Sequence, residues 1–401
     1  MFERDKILNK IDENKGYIFG TYLSTIIFKY AIGNIALALL ILFAFYQVFT
    51  NRRFHFNKQF NPLIILFSIG FVSVFWTTQL SNTLQGISLT LPFILIPIIV
   101  SQYSSFSKND LTKLFRTTSV FLVFYFVIGL INSIRLFLKD RSFSHFFYHD
   151  LVSVFDNNAI YISLLVGITI IYFLVSRSIK NKLDYFLLAV LYVYLFLLSS
   201  KNIIITTVLL SVFTSLSIKS KAKYLLFLVL IPLLFFDNPI KDRFITDFYV
   251  NLEKVWFGQD FYNYAFTGAE VRVFQWRILY EMFESNFIGL FGLGLNNVNY
   301  LINQYFSFYN LYNGYFFINF HNQYLQSLGE LGIVGLLYLL YVFITALLKT
   351  KKLNLYLIFL LIAVSFLTES FLSRQKGIVL FTIIYTVLVA YTSNFKREVN
   401  N

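Results

Sequence analysis

Long apolar runs recur along the whole chain, and they restrict its fold more than any other feature. A transmembrane helix needs about 20 predominantly apolar residues, and most of the runs approach that length. Only 13% of the 401 residues are charged against 57% that are hydrophobic, and a soluble fold has too little interior for such a composition. We therefore predict an all-α polytopic integral membrane protein with about 12 transmembrane helices. The runs are 17–29, 33–50, 61–80, 86–103, 117–134, 157–175, 184–199, 202–217, 224–236, 331–348, 353–369 and 378–392.

The distribution of basic residues orients these predicted spans. With the N-terminus inside, seven inner segments hold 21 of the 33 Lys and Arg residues. Five outer segments, about twice as long in total, hold 11. Cytoplasmic loops of membrane proteins carry such an excess, so we predict that both termini are cytoplasmic. The net charge of +13 is then a topology signal, and we expect no nucleic-acid partner.

The predicted organisation has three parts. Residues 1–236 form an N-terminal bundle of about nine spans, in which 17–50 is either two short spans or one long helix interrupted near Lys29. Residues 237–330 form one large, partly helical outer loop, and loops of that length are usually functional. Residues 331–401 supply about three further spans.

The outer loop carries an ordered set of polar, aromatic and glycine residues. Residues 269–285 have helical spacing, with Arg272 one turn ahead of Trp276. Glycines then predict a turn, and Asn319 or Asn322 is expected to cap the helix that re-enters the membrane. A histidine lies at the start of that helix, at the membrane surface. The whole set is Arg272, Trp276, Gly292, Gly294, His321, Asn322, Tyr324, Leu325, Glu330, Gly332 and Gly335.

This set, on a plan of about a dozen spans with one large outer loop, resembles the C-terminal domain of O-antigen ligases and Wzy-type polysaccharide polymerases. The resemblance implies a glycosyltransferase of the bacterial inner membrane that acts at the periplasmic face in surface polysaccharide biosynthesis. The donor would be a glycan on undecaprenyl pyrophosphate, and the acceptor a hydroxyl group of a glycan or a lipid A core. It implies no cofactor, and polymerase and ligase activities both remain open.

His321 and Arg272 are the expected catalytic residues. An imidazole suits the removal of a proton from an acceptor hydroxyl near neutral pH, and a guanidinium stabilises the charge of a departing pyrophosphate. The sequence contains no Asp/His cluster at ligand spacing, so we expect no metal. The alternative is that His321 only caps or lines a helix at the interface and that Arg272 is an ordinary surface charge.

A second cation for the pyrophosphate has three candidates in the sequence. Family members often carry a Ser-Arg pair where this chain has Ser200 and Lys201. Arg243 or Arg277 could replace Lys201, although Arg277 lies about 140° around the helix from Arg272 and is expected to be structural. The remaining substrate-binding predictions are Trp276, Asn322, Tyr324 and Glu330.

Several of these residues could have structural roles instead. Glu330 would either tie His321 to the following helix or only cap that helix. The aromatic residues could belong to an interfacial belt rather than stack on sugars. His145 and His149 have the i, i+4 spacing of metal ligands, but solvated loop histidines are commoner.

The competing function is a transporter or flippase of lipid-linked oligosaccharides. Such a protein is expected to show related halves and charged residues at mid-membrane. This sequence shows no such symmetry, and apart from Lys29 its predicted spans carry almost no charge. The polar residues gather in one outer loop instead, which favours an enzyme.

Overall fold

The computed structural model describes residues 10–176, 181–217, 245, 250–285, 289–316 and 318–400. Within these ranges the protein is helical, without β-strands. The helices are α1 (Lys15–Ser24), α2 (Tyr30–Asn51), α3 (Asn61–Val72), α4 (Leu80–Thr90), α5 (Pro92–Ser101), α6 (Lys108–Asp140), α7 (Ala159–Ser176), α8 (Lys182–Leu197), α9 (Lys201–Ser217), α10 (Leu252–Phe257), α11 (Gly268–Ser285), α12 (Val298–Phe308), α13 (Gln323–Thr350), α14 (Tyr356–Ser365) and α15 (Gln375–Asn400). Short helical turns lie at Thr25–Ile27, Lys58–Phe60, Ser73–Phe75, Phe143–Phe146, Tyr148–Leu151, Ser153–Phe155, Asn313–Tyr315, Lys351–Leu353 and Phe371–Ser373.

Seven of the described helical segments are long and apolar enough to cross a membrane, which confirms the polytopic, all-helical class. Two shorter apolar helices are Lys201–Thr214 and Tyr356–Ser365. The predicted run 224–236 lies outside the described residues, so the total of 12 spans stays a prediction. The seven segments are Tyr30–Thr50, Lys58–Phe75, Leu80–Ser101, Lys108–Asp140, Ala159–Ser176, Gln323–Leu353 and Gln375–Ser393.

The stretch 17–50 consists of two helices rather than one. Phe28 and Lys29 adopt extended backbone angles between the turn Thr25–Ile27 and α2. The Lys29 ammonium lies at this break, 3.9 Å from the Asp156 carboxylate, and its side chain is exposed. Lys29, which the sequence places within a predicted span, is therefore at a helix end.

Helix α7 occupies the centre of the bundle and is buried along almost its whole length. It contacts α6, α8, α9 and α14. Its sequence is apolar on all faces of the helix, and such a helix is covered by protein on every side. This packing gathers the first residues of α7 and α9 with the segment that follows α14.

The outer unit, residues 250–285, 289–316 and 318–320, has a hydrophobic core separate from that of the bundle. Aromatic side chains dominate it, with Phe274 of α11 and Phe306 of α12 stacked 6.1 Å apart. Helices α10, α11 and α12 thus form a small packed body beside the membrane helices. The predicted loop is partly helical, as expected, and the boundaries 237 and 330 remain predictions.

Glycines join the outer unit to α13 through a break in that helix. Gly332 has φ +65° and ψ −165°, values that no helix interior has, and a Cβ there would lie 2.3 Å from the Leu290 oxygen. Gly292 has φ +70°, and its Cβ would lie 2.5 Å from the Glu330 oxygen. Only glycine permits both the left-handed angle and this approach of the two backbones.

The turn 289–294 replaces the helical hydrogen bonds that the break removes. An unbroken α13 would pair the N–H groups of Ile333 and Val334 with the carbonyls of Gly329 and Glu330. Those N–H groups instead donate to the carbonyls of Gly289 and Leu290, at 3.0 and 3.3 Å. The freed carbonyls accept from the N–H groups of Leu293 and Gly294, at 3.0 and 2.9 Å. The two N–H groups and the two carbonyls of α13 thus all keep a hydrogen-bond partner. This explains why the motif combines Gly292 and Gly294 of the turn with Glu330 and Gly332 of the helix.

Candidate functional site

A cavity of about 700 Å³ lies where the bundle meets the outer unit. Its walls come from the starts of α7, α9 and α11, the residues before α13 and the segment after α14. It brings together Lys201, Arg272 and His321, which the sequence places far apart. The described lining residues are Tyr148, Ile160, Ser200, Lys201, Asn202, Ile205, Gly268, Val271, Arg272, Tyr315, Ile318, His321 and Thr368.

His321 is held by its backbone and by a buried carboxylate. Its φ of +47° is unusual for a non-glycine residue, and its N–H donates to Asn319 Oδ1 at 3.0 Å. Its Nδ1 lies 3.1 Å from Glu369 Oε2. The Glu369 side chain is 2% exposed and that of His321 is 29% exposed. The imidazole is therefore anchored on its protein side and open toward the cavity.

The segment around Glu369 is fixed to the start of α13. The Gln323 N–H donates to the Phe366 carbonyl at 2.8 Å, and the Asn322 N–H donates to Ser370 Oγ at 3.2 Å. The Leu372 N–H donates to Gln323 Oε1 at 2.6 Å. These bonds set the position of Glu369 relative to His321. Glu369 was not predicted from the sequence, although it is an acidic residue at the very end of the predicted run 353–369.

Arg272 lies in the first turns of α11, which begins with a capping box. Thr267 Oγ1 accepts from the Glu270 N–H at 3.2 Å, and Glu270 Oε2 accepts from the Thr267 N–H at 2.8 Å. Burial opposes ionisation of Glu270, but the N–H groups of Thr267 and Asn251 and the Tyr264 hydroxyl outweigh it and lower the pKa of this carboxyl. The start of α11, and with it Arg272, is thus firmly positioned.

The Arg272 guanidinium has donors left for a ligand. Its Nη1 donates to the Gly268 carbonyl at 2.9 Å, and its Nε is buried without a hydrogen-bond partner. Among the described residues it forms no ion pair within 4.0 Å. A buried N–H donor of a charged group without an acceptor destabilises the fold. A ligand oxygen that accepts a hydrogen bond from this guanidinium would therefore be bound favourably.

Lys201 contributes a second cation from the N-terminus of α9. The adjacent Asn202 donates to the Thr368 hydroxyl at 2.8 Å and so connects α9 to the Glu369 segment. Two helix N-termini, of α9 and α11, reach the cavity, and each adds partial positive charge. Among the described lining residues there is no carboxylate. The cavity is suited to an anionic ligand.

The two other basic candidates are placed differently. Arg277 is 4% exposed, and its guanidinium donates to Glu281, to the Val255 and Gly258 carbonyls and to the Tyr309 hydroxyl. These contacts favour the structural role that the sequence predicts for it. Arg243 lies outside the described residues.

Four predicted substrate-binding residues do not line the cavity. Asn322 caps α13, since its side chain accepts from the N–H groups of Tyr324 and Leu325. The Tyr324 hydroxyl donates to the Ala363 carbonyl at 2.9 Å. Trp276 is half-exposed on α11, away from the lining. The fourth residue is Glu330.

Glu330 is buried beside the glycine turn, where its Oε1 accepts from Gln326 Nε2 at 2.7 Å. Glu330 was predicted either to tie His321 to the following helix or to cap that helix, but the carboxylate next to the imidazole is that of Glu369. Asn322, and not Glu330, supplies the cap of α13.

His145 and His149 do not converge on one point. His145 lies between Asp140 and Asp150, with nitrogen–oxygen distances of 2.7 and 3.0 Å. His149 Nδ1 accepts from the Ala159 N–H at 3.2 Å. Within the described ranges, no three His, Cys, Asp or Glu side chains group as a metal site, and metal independence of the reaction stays a prediction.

Comparison with known families agrees with the motif analysis. A family model described as O-antigen ligase matches residues 158–340. The matched range runs from the start of α7 into α13 and contains Lys201, Arg272 and His321. This confirms the resemblance that the ordered motif residues indicate. A search of curated proteins finds no matching sequence.

Proposed function

Residues 158–340 belong to the O-antigen ligase family, and on that premise we propose that this protein transfers an oligosaccharide from an undecaprenyl-pyrophosphate donor to an acceptor hydroxyl. The observation that supports this most is the shared cavity. One imidazole and two cations from three distant parts of the chain line it, without a carboxylate among the described lining residues. A pyrophosphate ester and a hydroxyl group need this combination.

His321 acts as the general base. In this mechanism the Glu369 carboxylate accepts a hydrogen bond from the Nδ1–H of His321, 3.1 Å away, so the lone pair that takes the proton is on Nε2. The acceptor oxygen attacks the anomeric carbon of the donor sugar while its proton moves to Nε2. Glu369 orients the ring and stabilises the imidazolium that forms, which makes it a positioning residue.

Arg272 and Lys201 stabilise the leaving group. As the bond between the anomeric carbon and the pyrophosphate oxygen breaks, its electron pair stays on that oxygen. The guanidinium and the ammonium face the resulting charge, with the N-termini of α11 and α9 behind them. The leaving group is undecaprenyl pyrophosphate, which stays in the bilayer through its lipid.

The sugar rings fit the aromatic part of the cavity lining. Tyr148 and Tyr315 belong to it, and aromatic faces stack well on the apolar faces of sugars. Ile160, Ile205 and Ile318 give the remaining lining its apolar character. The acceptor, a glycan or a lipid A core, enters from the outer side.

The orientation is part of the proposal. The cavity faces the periplasm of a bacterial inner membrane, and both termini are cytoplasmic. The chain has no cysteine, so single cysteines at Asn303 and Lys351 report on it. In cells with a permeabilised outer membrane, an impermeant thiol reagent labels position 303 and not position 351. The reverse pattern contradicts the orientation.

Turnover by the purified protein in lipid vesicles tests the activity. With a lipid-linked oligosaccharide donor and its acceptor, we expect a product with the glycan joined to the acceptor, and equal activity with EDTA present. His321→Gln removes that product, whereas His55→Gln, in the segment between α2 and α3, leaves it unchanged. Movement of a fluorescent donor across the membrane without any transfer product would instead identify a flippase.

A further inference from the structure

A second, smaller polar pocket lies at the same side of the bundle as the cavity. It is lined by Tyr30, Asp156, Asn157, Tyr161, Arg374 and Lys376. The two spaces are separated by the start of α7, where Ile160 faces the cavity and Tyr161 faces the pocket. The proposed reaction does not use the pocket, and its two cations, Arg374 and Lys376, lie outside the matched range 158–340.

The pocket carries an excess of positive charge. The Lys376 ammonium contacts Asn157 Oδ1 and lies 5.0 Å from the centre of the Tyr30 ring. Among the described residues, neither Lys376 nor Arg374 has a carboxylate within 4.0 Å. Asp156 is the one acidic residue in the described lining, and it already lies 3.9 Å from Lys29. Asp156 also attracts the Lys376 ammonium, so the pocket holds two cations against one carboxylate that is shared with Lys29, and an anion would meet a net positive charge.

A hydroxyl in the pocket lacks a partner. Tyr161 is 2% exposed, and its hydroxyl is buried without a hydrogen-bond partner. An unsatisfied buried hydroxyl is unfavourable, so a ligand oxygen close to it would be stabilised. This observation is independent of the charge.

The pocket continues into an apolar slot between the break before α2 and helix α15. Tyr30 and Lys376 belong to both spaces, and Ile26, Phe28 and Val379 line the slot. Three candidate spans, beginning at residues 30, 159 and 375, start here. The pocket and the slot hold about 20 Å³ each and are open to the surface, so a lipid would lie across their mouths, with its head group at the pocket and a hydrocarbon chain along the slot.

We propose that this pocket binds the phosphate head of a membrane lipid, with Arg374 and Lys376 on the phosphate and a hydrocarbon chain along the slot. A lysine and an arginine at a membrane surface attract anionic lipid head groups, and three helix N-termini add to that attraction. Two lipids carry this chemistry: an anionic phospholipid and a polyprenyl phosphate. The inference does not depend on the proposed reaction.

Quenching of a local tryptophan by brominated lipids tests the site. Tyr30→Trp keeps an aromatic ring beside Lys376, and the unmodified protein supplies the background of its three native tryptophans. In phosphatidylcholine vesicles, brominated phosphatidylglycerol should quench residue 30 in preference to brominated phosphatidylcholine. The preference should fall about fivefold for each of Arg374→Gln and Lys376→Gln.

Control variants separate this site from general surface charge. Lys376→Arg keeps the positive charge and should retain most of the preference. Lys351→Gln with Lys352→Gln removes two cations beyond the far end of α13 and should leave it unchanged. Equal quenching by the two brominated lipids, or a preference that survives loss of both Arg374 and Lys376, overturns the proposal.

Two competition arms identify the source of the phosphate. Unbrominated undecaprenyl phosphate is added at low mole fraction. If it relieves the quenching, the pocket binds a polyprenyl phosphate. Quenching that persists assigns it to the phospholipid, and either result supports a lipid-phosphate site. Relief by inorganic phosphate at about millimolar concentration contradicts it, because the ligand would then need no lipid chain.

Discussion

The cavity wall and the interior of the outer unit both contain charged side chains, but these differ in what they contact. Arg277, in the interior, has protein acceptors for Nε, Nη1 and Nη2, and its guanidinium lies 4.5 Å from the centre of the Tyr309 ring. Arg272, five residues earlier on the same helix, has one carbonyl partner and a buried unpartnered Nε. A charged side chain whose donors are all bonded to the protein stabilises the structure. A charged side chain with a donor that no protein group accepts can bind a ligand.

The largest effect predicted from this comparison concerns His321. Removal of a positioned base costs about 10²–10⁴ in rate, so His321→Gln should lose that much turnover per folded molecule. The pH dependence contributed by the imidazole should disappear with it. A His321→Gln protein within a few-fold of the unmodified rate would remove His321 from the mechanism and support its role as a simple interfacial residue.

Arg272→Ala should reduce turnover by about 10²–10³ because one stabilising group for the leaving oxygen is lost. Arg272→Lys should recover only part of that, since an ammonium lacks the fork of donors that matches a pyrophosphate. Thermal unfolding of both variants should match that of the unmodified protein. Full activity of Arg272→Ala at a normal protein level would place Arg272 outside the site.

Arg277→Ala should lower the yield of folded protein rather than its turnover. It removes the ion pair with Glu281 together with the hydrogen bonds to the Val255 and Gly258 carbonyls and to the Tyr309 hydroxyl, and loss of one member of a largely buried pair costs about 3 kcal/mol. Less folded protein should be recovered, while the turnover of each folded molecule stays close to normal. A normal yield together with a large loss of turnover would contradict the division between the two regions.

The smallest predicted effect is a pH dependence of the stability of the outer unit. The pKa of Glu270 is lowered in the folded state, so its stabilising contribution is complete above the ordinary carboxyl range. The contribution is lost as the pH falls through the lowered pKa. The protection of α11 against hydrogen exchange, taken relative to the intrinsic exchange rate at each pH, should therefore fall in acid. Glu270→Gln should flatten that response and make exchange faster at neutral pH. An identical acid response in Glu270→Gln would exclude this carboxyl as its cause.

The sequence predicted those parts of the site that depend on local pattern. Apolar runs gave the helices, and the outer loop with its motif gave Arg272 and His321. Local spacing also separated Arg277 from Arg272, because residues five apart face different directions on a helix. Asn322 was one of two candidate caps, and the structure selects it.

The parts that were missed depend on tertiary packing. Glu369 follows His321 by 48 residues and reaches it only because α14 returns beside α13. Gly332 reads as an ordinary glycine within an apolar run, and only the approach of turn 289–294 explains the helix break. Tyr324 and Glu330 belong to the matching motif, yet their contacts are with the protein interior.

The exchange of hydrogen bonds at Gly332 has a consequence for motion. Separating turn 289–294 from α13 would leave all of these backbone groups unpaired at once, next to a membrane helix where water cannot readily replace them. We therefore expect turn 289–294 and α13 to move as one piece. In the proposed reaction, this would hold the start of α13, beside His321, in a fixed position relative to the turn. Tyr148 lies on another wall of the cavity, in the short turns between α6 and α7, and we expect that wall to move when a glycan is admitted.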